Sequence, residues 1–402
     1  MNEHPKYKLG CMGSVSDGKS TFVKVVTGIT TQKHSSEKER NITINLGYGN
    51  MKIYSDSHAY YTSNMNHPEY ELVNHISFLD CPGHMELIHT MLTSISIMDG
   101  AIVVVAVDQP LTTKPQLLQH LAAIDVGNVK KVIICMNKID LVEKDTLMKR
   151  KLELDLLLKN YNITPYAIIP TSFNKNIGVS HVINCIMEEF NPRDLSLLEK
   201  ESPELNICRT FDPNKPGTDY NDMIGGILGG TLSKGTLKIG DMIEIRPGIL
   251  SKDRHGNIIS EAIITTVRSI KTDSTNLDEA VPGGLVGIGT DIDPYYCKKN
   301  ALVGNIIGKV GVLPNVYNTI NITIIPFGDI PIILVNDMVT LQIGTKISEG
   351  KITCIQGNNY NIILPKPVCI NNNINIIVCK MIDKILKIIG KAQFSYTNNI
   401  IL

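Results

Sequence analysis

Four near-continuous apolar runs in the first half of the chain constrain its fold most: HISFLD (75–80), AIVVVAV (101–107), KVIICMN (131–137) and YAIIPTS (166–172). A strand that is apolar at successive positions, rather than at alternate ones, has to be covered on both faces. Between the runs lie HMELIHTMLTSISIM (84–98), KPQLLQHLAAIDV (114–126) and DTLMKRKLELDLLLKN (145–160), whose apolar residues recur at helical spacing. Alternation of such strands with such helices predicts an α/β domain built on a mostly parallel sheet with helices on both faces. KYKLGCMG (6–13) reads as one more strand and KSTFVKVVTG (19–28) as the helix that follows it, while the polar stretch 54–70 reads as a loop.

From about residue 203 the texture changes. GGILGGTLSKGTLKIGDMIEIRPG (225–248) is a series of short strands cut by glycine, and turn signals at close intervals continue to about residue 313. That pattern predicts a closed antiparallel barrel. KITCIQ (351–356), YNIILP (360–365) and INIIVCKMI (374–382) predict a second one. The expected division is therefore a first domain over 1–202, a β-barrel over 203–313 and another β-barrel over 314–402.

Charge and cysteine usage narrow the classes. The 39 basic residues balance 39 acidic ones, so no global field draws in a polyanion and any nucleic-acid contact has to be local. The nine cysteines are scattered singly without a C-x-x-C, and an odd, unpaired set argues for isolated thiols in a reducing cytoplasm rather than a disulfide framework. MNEHPKYKLG lacks an apolar signal core, and charges or glycines interrupt every long apolar run, so neither export nor a membrane partner is expected.

The chemistry sits in three short motifs. Gly13 and Gly18-Lys19-Ser20 fit G-x-x-x-x-G-K-[ST] between a predicted strand and a predicted helix. In such a loop the backbone N–H groups from Ser16, Asp17 and Gly18 through Lys19, Ser20 and Thr21 wrap phosphate oxygens, aided by the helix dipole. Lys19 would reach the β- and γ-phosphates, and the Ser20 hydroxyl would bind Mg²⁺. Asp17 is the oddity, an extra carboxylate among the phosphates. It is compatible with binding if it points to solvent, and like-charge repulsion is then expected to weaken nucleotide affinity. Asp80-Cys81-Pro82-Gly83 follows the strand 75–80, where Asp80 can hold the metal through water and the Gly83 N–H can touch the γ-phosphate. Asn137-Lys138-Ile139-Asp140 closes another strand, and Asp140 can accept the two hydrogen bonds that guanine N1–H and its exocyclic amine donate. Adenine has no such donor pair and would leave the carboxylate unpaired. Three motifs in this order, each at the carboxyl end of a predicted strand, predict a GTP site.

With these motifs, ERNITINLGYGNMKIY (39–54), ISFLDCPGHMELIHTML (76–92), KPQLLQHLAAI (114–124), RTFDPNKPG (209–217), IEIRPGILSKD (243–253), PGGLVGIGTDIDP (282–294) and LVGNIIGKVGVLP (302–314) resemble the translational GTPases. Within them the chain is most similar to the gamma-subunit family of eukaryotic and archaeal translation initiation factor 2. The resemblance implies a P-loop GTPase domain with two β-barrels, GTP/GDP and Mg²⁺ as cofactors, and hydrolysis that is slow until an activating protein triggers it. It implies that Thr43 joins Ser20 and Asp80 around Mg²⁺, that His84 positions the attacking water, and that Ser172, Phe173 and Asn174 form the last loop around guanine. Its expected partners are alpha and beta subunits, initiator methionyl-tRNA, the small ribosomal subunit and a nucleotide-exchange factor, with GTP hydrolysed on start-codon selection. Tyr48, directly after the first switch, either stacks on the terminal adenine of that tRNA or packs beneath the switch.

Departures from the family pattern carry expectations of their own. Ser14 and Asp17 replace its two loop histidines, and Phe173 replaces an alanine, so its bulk is expected to crowd the base. The stretch 55–74 has His58 and His67 but no cysteine, so no zinc is expected. The third domain looks short and lacks the family's tryptophan and basic residues, so few tRNA phosphate contacts are expected there. Two further readings stay open: an elongation-type factor such as the selenocysteine-specific one, and a catalytically silent scaffold subunit.

Overall fold

The computed structural model describes residues 4–30, 47–56, 59–62, 70–83, 87–191, 194–256, 258–272, 275–327, 332–371 and 374–395. The chain divides into two compact units, Met1–Arg193 and Asp194–Leu402.

In the first unit, β1 (Tyr7–Met12), β4 (Glu71–Asp80), β5 (Gly100–Ala106), β6 (Lys131–Asn137) and β7 (Ala167–Pro170) are the strands that the apolar runs predict. They pair in parallel in the order β4-β1-β5-β6-β7, and β5 is buried along its whole length. The helices Lys19–Thr27, Ile88–Ile95, Pro115–Val126, Lys144–Asn160 and Val179–Glu189 connect them. One core gathers Leu9 and Cys11 of β1 with Phe22 and Val23 of the first helix and with Val182, Ile186 and Phe190.

The edge of the sheet departs from expectation. β2 (Gly47–Ser55) and β3 (Tyr60–Thr62) extend it antiparallel as β3-β2-β4, so part of the stretch 54–70, expected to be loop, is strand. β2 alternates buried and half-buried residues, as an antiparallel strand does when one face meets the core. Tyr60 and Tyr61 sit in a polar stretch that reads as coil, and they pair with Ser55 and Tyr54 because β2 offers an open ladder.

The second unit holds two antiparallel barrels. The first runs β11-β16-β8-β9-β15-β12 and closes where β12 pairs back with β11. Its strands are β8 (Glu204–Phe211), β9 (Ile227–Lys234), β11 (Met242–Lys252), β12 (Ile258–Thr272), β15 (Leu285–Thr290) and β16 (Ile306–Lys309). Three short strands, β10 (Leu237–Lys238), β13 (Thr275–Leu277) and β14 (Glu279–Ala280), decorate it. The second barrel closes as β17-β20-β19-β18-β21-β22, from β17 (Val316–Pro326), β18 (Met338–Ile343), β19 (Lys346–Gln356) and β20 (Asn359–Cys369) to β21 (Ile376–Ile382) and β22 (Ile385–Ser395). Each has its own apolar core, and a small cluster of Ile306, Leu313, Val316 and Cys369 joins them. Residues 194–202 group with this unit, where the Gly235 N–H donates to the Leu198 carbonyl. All nine cysteines are free thiols, eight of them buried. Among the described residues no helix is long and apolar enough to cross a membrane.

Candidate functional site

The loop 13–18 leaves β1 and turns into the helix Lys19–Thr27, as the glycine spacing requires. Gly13 has φ 137° and Gly18 φ 105°, a backbone region closed to most side chains, and Ser16 adopts φ 61° at the exposed tip. A Cβ on Gly13 would sit 2.1 Å from the Val104 carbonyl oxygen and one on Gly18 2.3 Å from Asn137 Nδ2, so close approach also demands glycine at both places. Lys19 is buried, and its ammonium donates to the Ser14 carbonyl at 2.6 Å. The Ser14 hydroxyl is buried without a hydrogen-bond partner among the described residues.

The β4 end delivers the second motif. Asp80 is fully buried, and the Ser20 hydroxyl donates to its Oδ2 at 2.8 Å. Two hard oxygen ligands side by side beside a phosphate loop would suit a magnesium ion, which would supply positive charge next to a nucleotide's phosphates. Gly83 lies against the loop, since a Cβ there would come within 2.6 Å of Lys19 Nζ and 2.9 Å of the Val15 nitrogen. Thr43 and His84 lie outside the described residues, as do His58 and His67. Among the described residues no group of three or more His, Cys, Asp or Glu could hold a metal ion.

The base loop comes from β6 and β7. Asn137 is buried and acts as a clip: its Nδ2 donates to the Asp17 carbonyl at 2.8 Å, and its Oδ1 accepts the Phe173 N–H at 3.1 Å. Lys138, in the left-handed region at φ 65°, turns its ammonium onto Asp108 at 2.9 Å. Asp140 stands next to Ser172 and 3.5 Å from the Lys175 ammonium. The Ser172 hydrogen bond foremost, with Lys175 adding, holds its carboxyl below the usual range, so it stays an acceptor. Asn174 lies in the exposed turn Phe173–Lys175, and Thr21 is half-buried in the first helix turn.

Two expectations need correction. Asp17 does not point to solvent: it is 1% exposed, with Oδ1 2.7 Å from Lys114 Nζ and Oδ2 accepting the Ser14 N–H at 2.9 Å. Phe173 does not crowd the base side either. Its ring is buried at 5.1 Å from Phe22, because the core beside the first helix has room for it and the exposed turn offers no such contact. Phe173→Ala is therefore expected to destabilise the fold by about 3–5 kcal/mol, the usual range for emptying a buried Phe site. Urea denaturation checks this; an unchanged midpoint would put the ring back outside the core.

Residue-type reasoning assigned no role to Lys114 or His120. His120 Nδ1 accepts the Gly13 N–H at 3.1 Å, and burial, with the Lys19 charge adding, pushes its pKa down to about 3, so the ring stays neutral and keeps that lone pair. Only the quoted run KPQLLQHLAAI hinted that this segment matters. Tyr48 is half-buried in β2 opposite Leu79, with its hydroxyl enclosed.

Three family models match in series: "Elongation factor Tu GTP binding domain" over residues 4–192, "Elongation factor Tu domain 2" over 225–308 and "Initiation factor eIF2 gamma, C terminal" over 328–394. The chain is 35% identical to eukaryotic translation initiation factor 2 subunit gamma of Encephalitozoon cuniculi, covering 98% of this chain and 93% of that protein. It is 33% identical to eukaryotic translation initiation factor 2 subunit 3 of Drosophila melanogaster, over 96% and 87% respectively. Among solved structures it superposes on a bacterial selenocysteine-specific elongation factor with TM-score 0.76 at 20% identity, covering 97% of this chain and 58% of that one. Elongation factor SelB of Methanococcus maripaludis, bound to a GTP analogue, gives TM-score 0.75 at 20% identity over 99% and 81%. At that identity the elongation factors share the fold alone. The chain belongs to the gamma-subunit family of translation initiation factor 2 and is a GTPase, the factor's GTP-binding subunit.

Proposed function

We propose that this chain carries initiator methionyl-tRNA to the small ribosomal subunit in the cytoplasm, as the core of a heterotrimer with alpha and beta subunits, and that bound GTP sets its affinity for the tRNA. The observation that carries this reading is a strand register. Gly47 pairs opposite Asp80 and Tyr48 opposite Leu79, so the strand after the first switch is hydrogen-bonded to the strand that ends in the proposed metal carboxylate. A change around Asp80 is thereby coupled to the position of Tyr48.

In this reading Ser20, Thr43 and Asp80 would hold Mg²⁺, and the ion would supply positive charge against the phosphates. Lys19 and the N–H groups of residues 16–21 hold the phosphates, with Gly83 against the γ position. Asp140 accepts from guanine, Asn137 ties the phosphate loop to the base loop, Lys138 flanks them, and Ser172, Phe173 and Asn174 complete the base loop. His84 orients the attacking water once an activating protein engages, and an exchange factor then removes GDP. The proposed domain boundaries lie at 202/203 and 313/314, with 194–202 as a connection that packs on the first barrel. Zinc has no part in it, because 55–74 carries no cysteine.

The test is initiator-tRNA binding by the purified chain. Binding is expected with a GTP analogue and much less with GDP, with a salt slope equivalent to roughly two or three phosphates because the chain is neutral overall. Tyr48→Phe should be mild and Tyr48→Ala should lose roughly 1–3 kcal/mol if the ring stacks on the terminal base. Equal binding with GDP and the GTP analogue would end the carrier reading, and an unaffected Tyr48→Ala would return Tyr48 to a packing role.

A further inference from the structure

Asp17 brings a carboxylate into the very loop that has to surround phosphates, and the chain answers it with a cation ninety-seven positions later. The Lys114 and Asp17 side chains are 8% and 2% exposed, and their charged atoms meet at 2.7 Å. Lys114 Nζ also donates to the Ala106 carbonyl at the end of β5, at 2.8 Å, so two anchors fix the ammonium. The other Asp17 oxygen takes the Ser14 N–H, which ties residue 17 back to residue 14 across the loop. Lys114 directly precedes the helix Pro115–Val126, whose His120 holds Gly13, so one segment grips the loop at both ends.

We propose that Lys114 is a positioning residue for the phosphate loop: by ion-pairing with Asp17 it cancels the carboxylate's charge and turns it away from the phosphates. This rests on reading residues 13–20 as the nucleotide loop. The physical argument is one of sign. Removing the cation leaves a buried, uncompensated anion beside an anionic ligand, which repels it. Removing the anion leaves a cation there instead, which attracts it. A pair that merely supported the fold would make both losses harmful to binding alike.

The experiment titrates fluorescent GDP against the full chain and its Lys114→Met, Asp17→Asn and doubly substituted forms, with urea denaturation of each in the absence of nucleotide. Lys114→Met is expected to weaken GDP binding by about 30-fold, and Asp17→Asn to tighten it by about threefold to tenfold. The double variant, having no buried charge to compensate, is expected to recover at least about tenfold of the Lys114→Met loss. Equal losses in the two single variants, or Lys114→Met within about threefold of the wild type, would overturn the proposal. If Lys114→Met does not fold, the double variant decides: GDP binding within about tenfold of the wild type supports the proposal and a larger loss overturns it. A wild-type chain that does not bind GDP would remove the nucleotide reading and the proposal with it, an outcome distinct from the others.

Discussion

Asp140→Asn is expected to weaken GDP and GTP binding by about 100-fold or more, and to shift preference toward xanthine nucleotides. In the proposed site the carboxylate would accept from both guanine donors, and hydrogen bonds to a charged group contribute roughly 1.5–3 kcal/mol each. An asparagine amide turns one acceptor into a donor, which then faces the exocyclic amine of guanine. Xanthine carries an oxygen at that position and can accept from the amide. In the wild type, Ser172 and Lys175 keep Asp140 ionised, with its pKa lowered from the ordinary value. A depressed carboxyl pKa leaves the acceptor intact above the ordinary carboxylate range, so guanine affinity should stay flat from about pH 8 to about pH 5. Competition of GDP, XDP and ADP against fluorescent GDP checks both statements. ADP competing as well as GDP in the wild type would sink the guanine assignment.

His84→Ala should leave nucleotide affinity within a few fold and cut activator-stimulated GTP turnover by roughly 10²–10⁴-fold, the usual span for a residue acting on the proton or position of a nucleophile. The proposed role is argued from its neighbour in the sequence. Gly83 has no room for a Cβ between Lys19 and the Val15 nitrogen, so its backbone is pressed onto the phosphate loop. His84 is the next residue in the chain. Single-turnover hydrolysis with the activating protein, alongside GDP and GTP-analogue titrations, separates chemistry from binding. Wild-type stimulated turnover in the variant would refute the role, and a parallel loss of affinity would make His84 a binding residue instead.

Much of this was legible before any coordinates. The parallel strands β4, β1, β5, β6 and β7 announce themselves because burial on both faces forces unbroken apolar runs. The motifs at Gly13–Ser20, Asp80–Gly83 and Asn137–Asp140 are equally readable, since each is a contiguous stretch whose residue types its local chemistry dictates. The barrels showed through glycine and turn spacing for the same reason.

What failed was what depends on distant partners. YYT has strand-favouring residues but is too short to read as a strand within its polar flanks, and it becomes β3 where the ladder of β2 is open to it. Phe173 looks like an obstruction beside a base until Phe22 supplies a core for its ring. Asp17 looks like a repulsive charge until Lys114 arrives from the segment after the neighbouring strand β5. The sequence alone determined the order of elements and the residue types at each proposed phosphate and base contact, because those are set by local periodicity and by the chemistry of contiguous residues. Only the tertiary structure decided which way Asp17 and Phe173 point, because a side chain's direction, and the cost of burying its charge, depend on neighbours that the chain brings together from far apart.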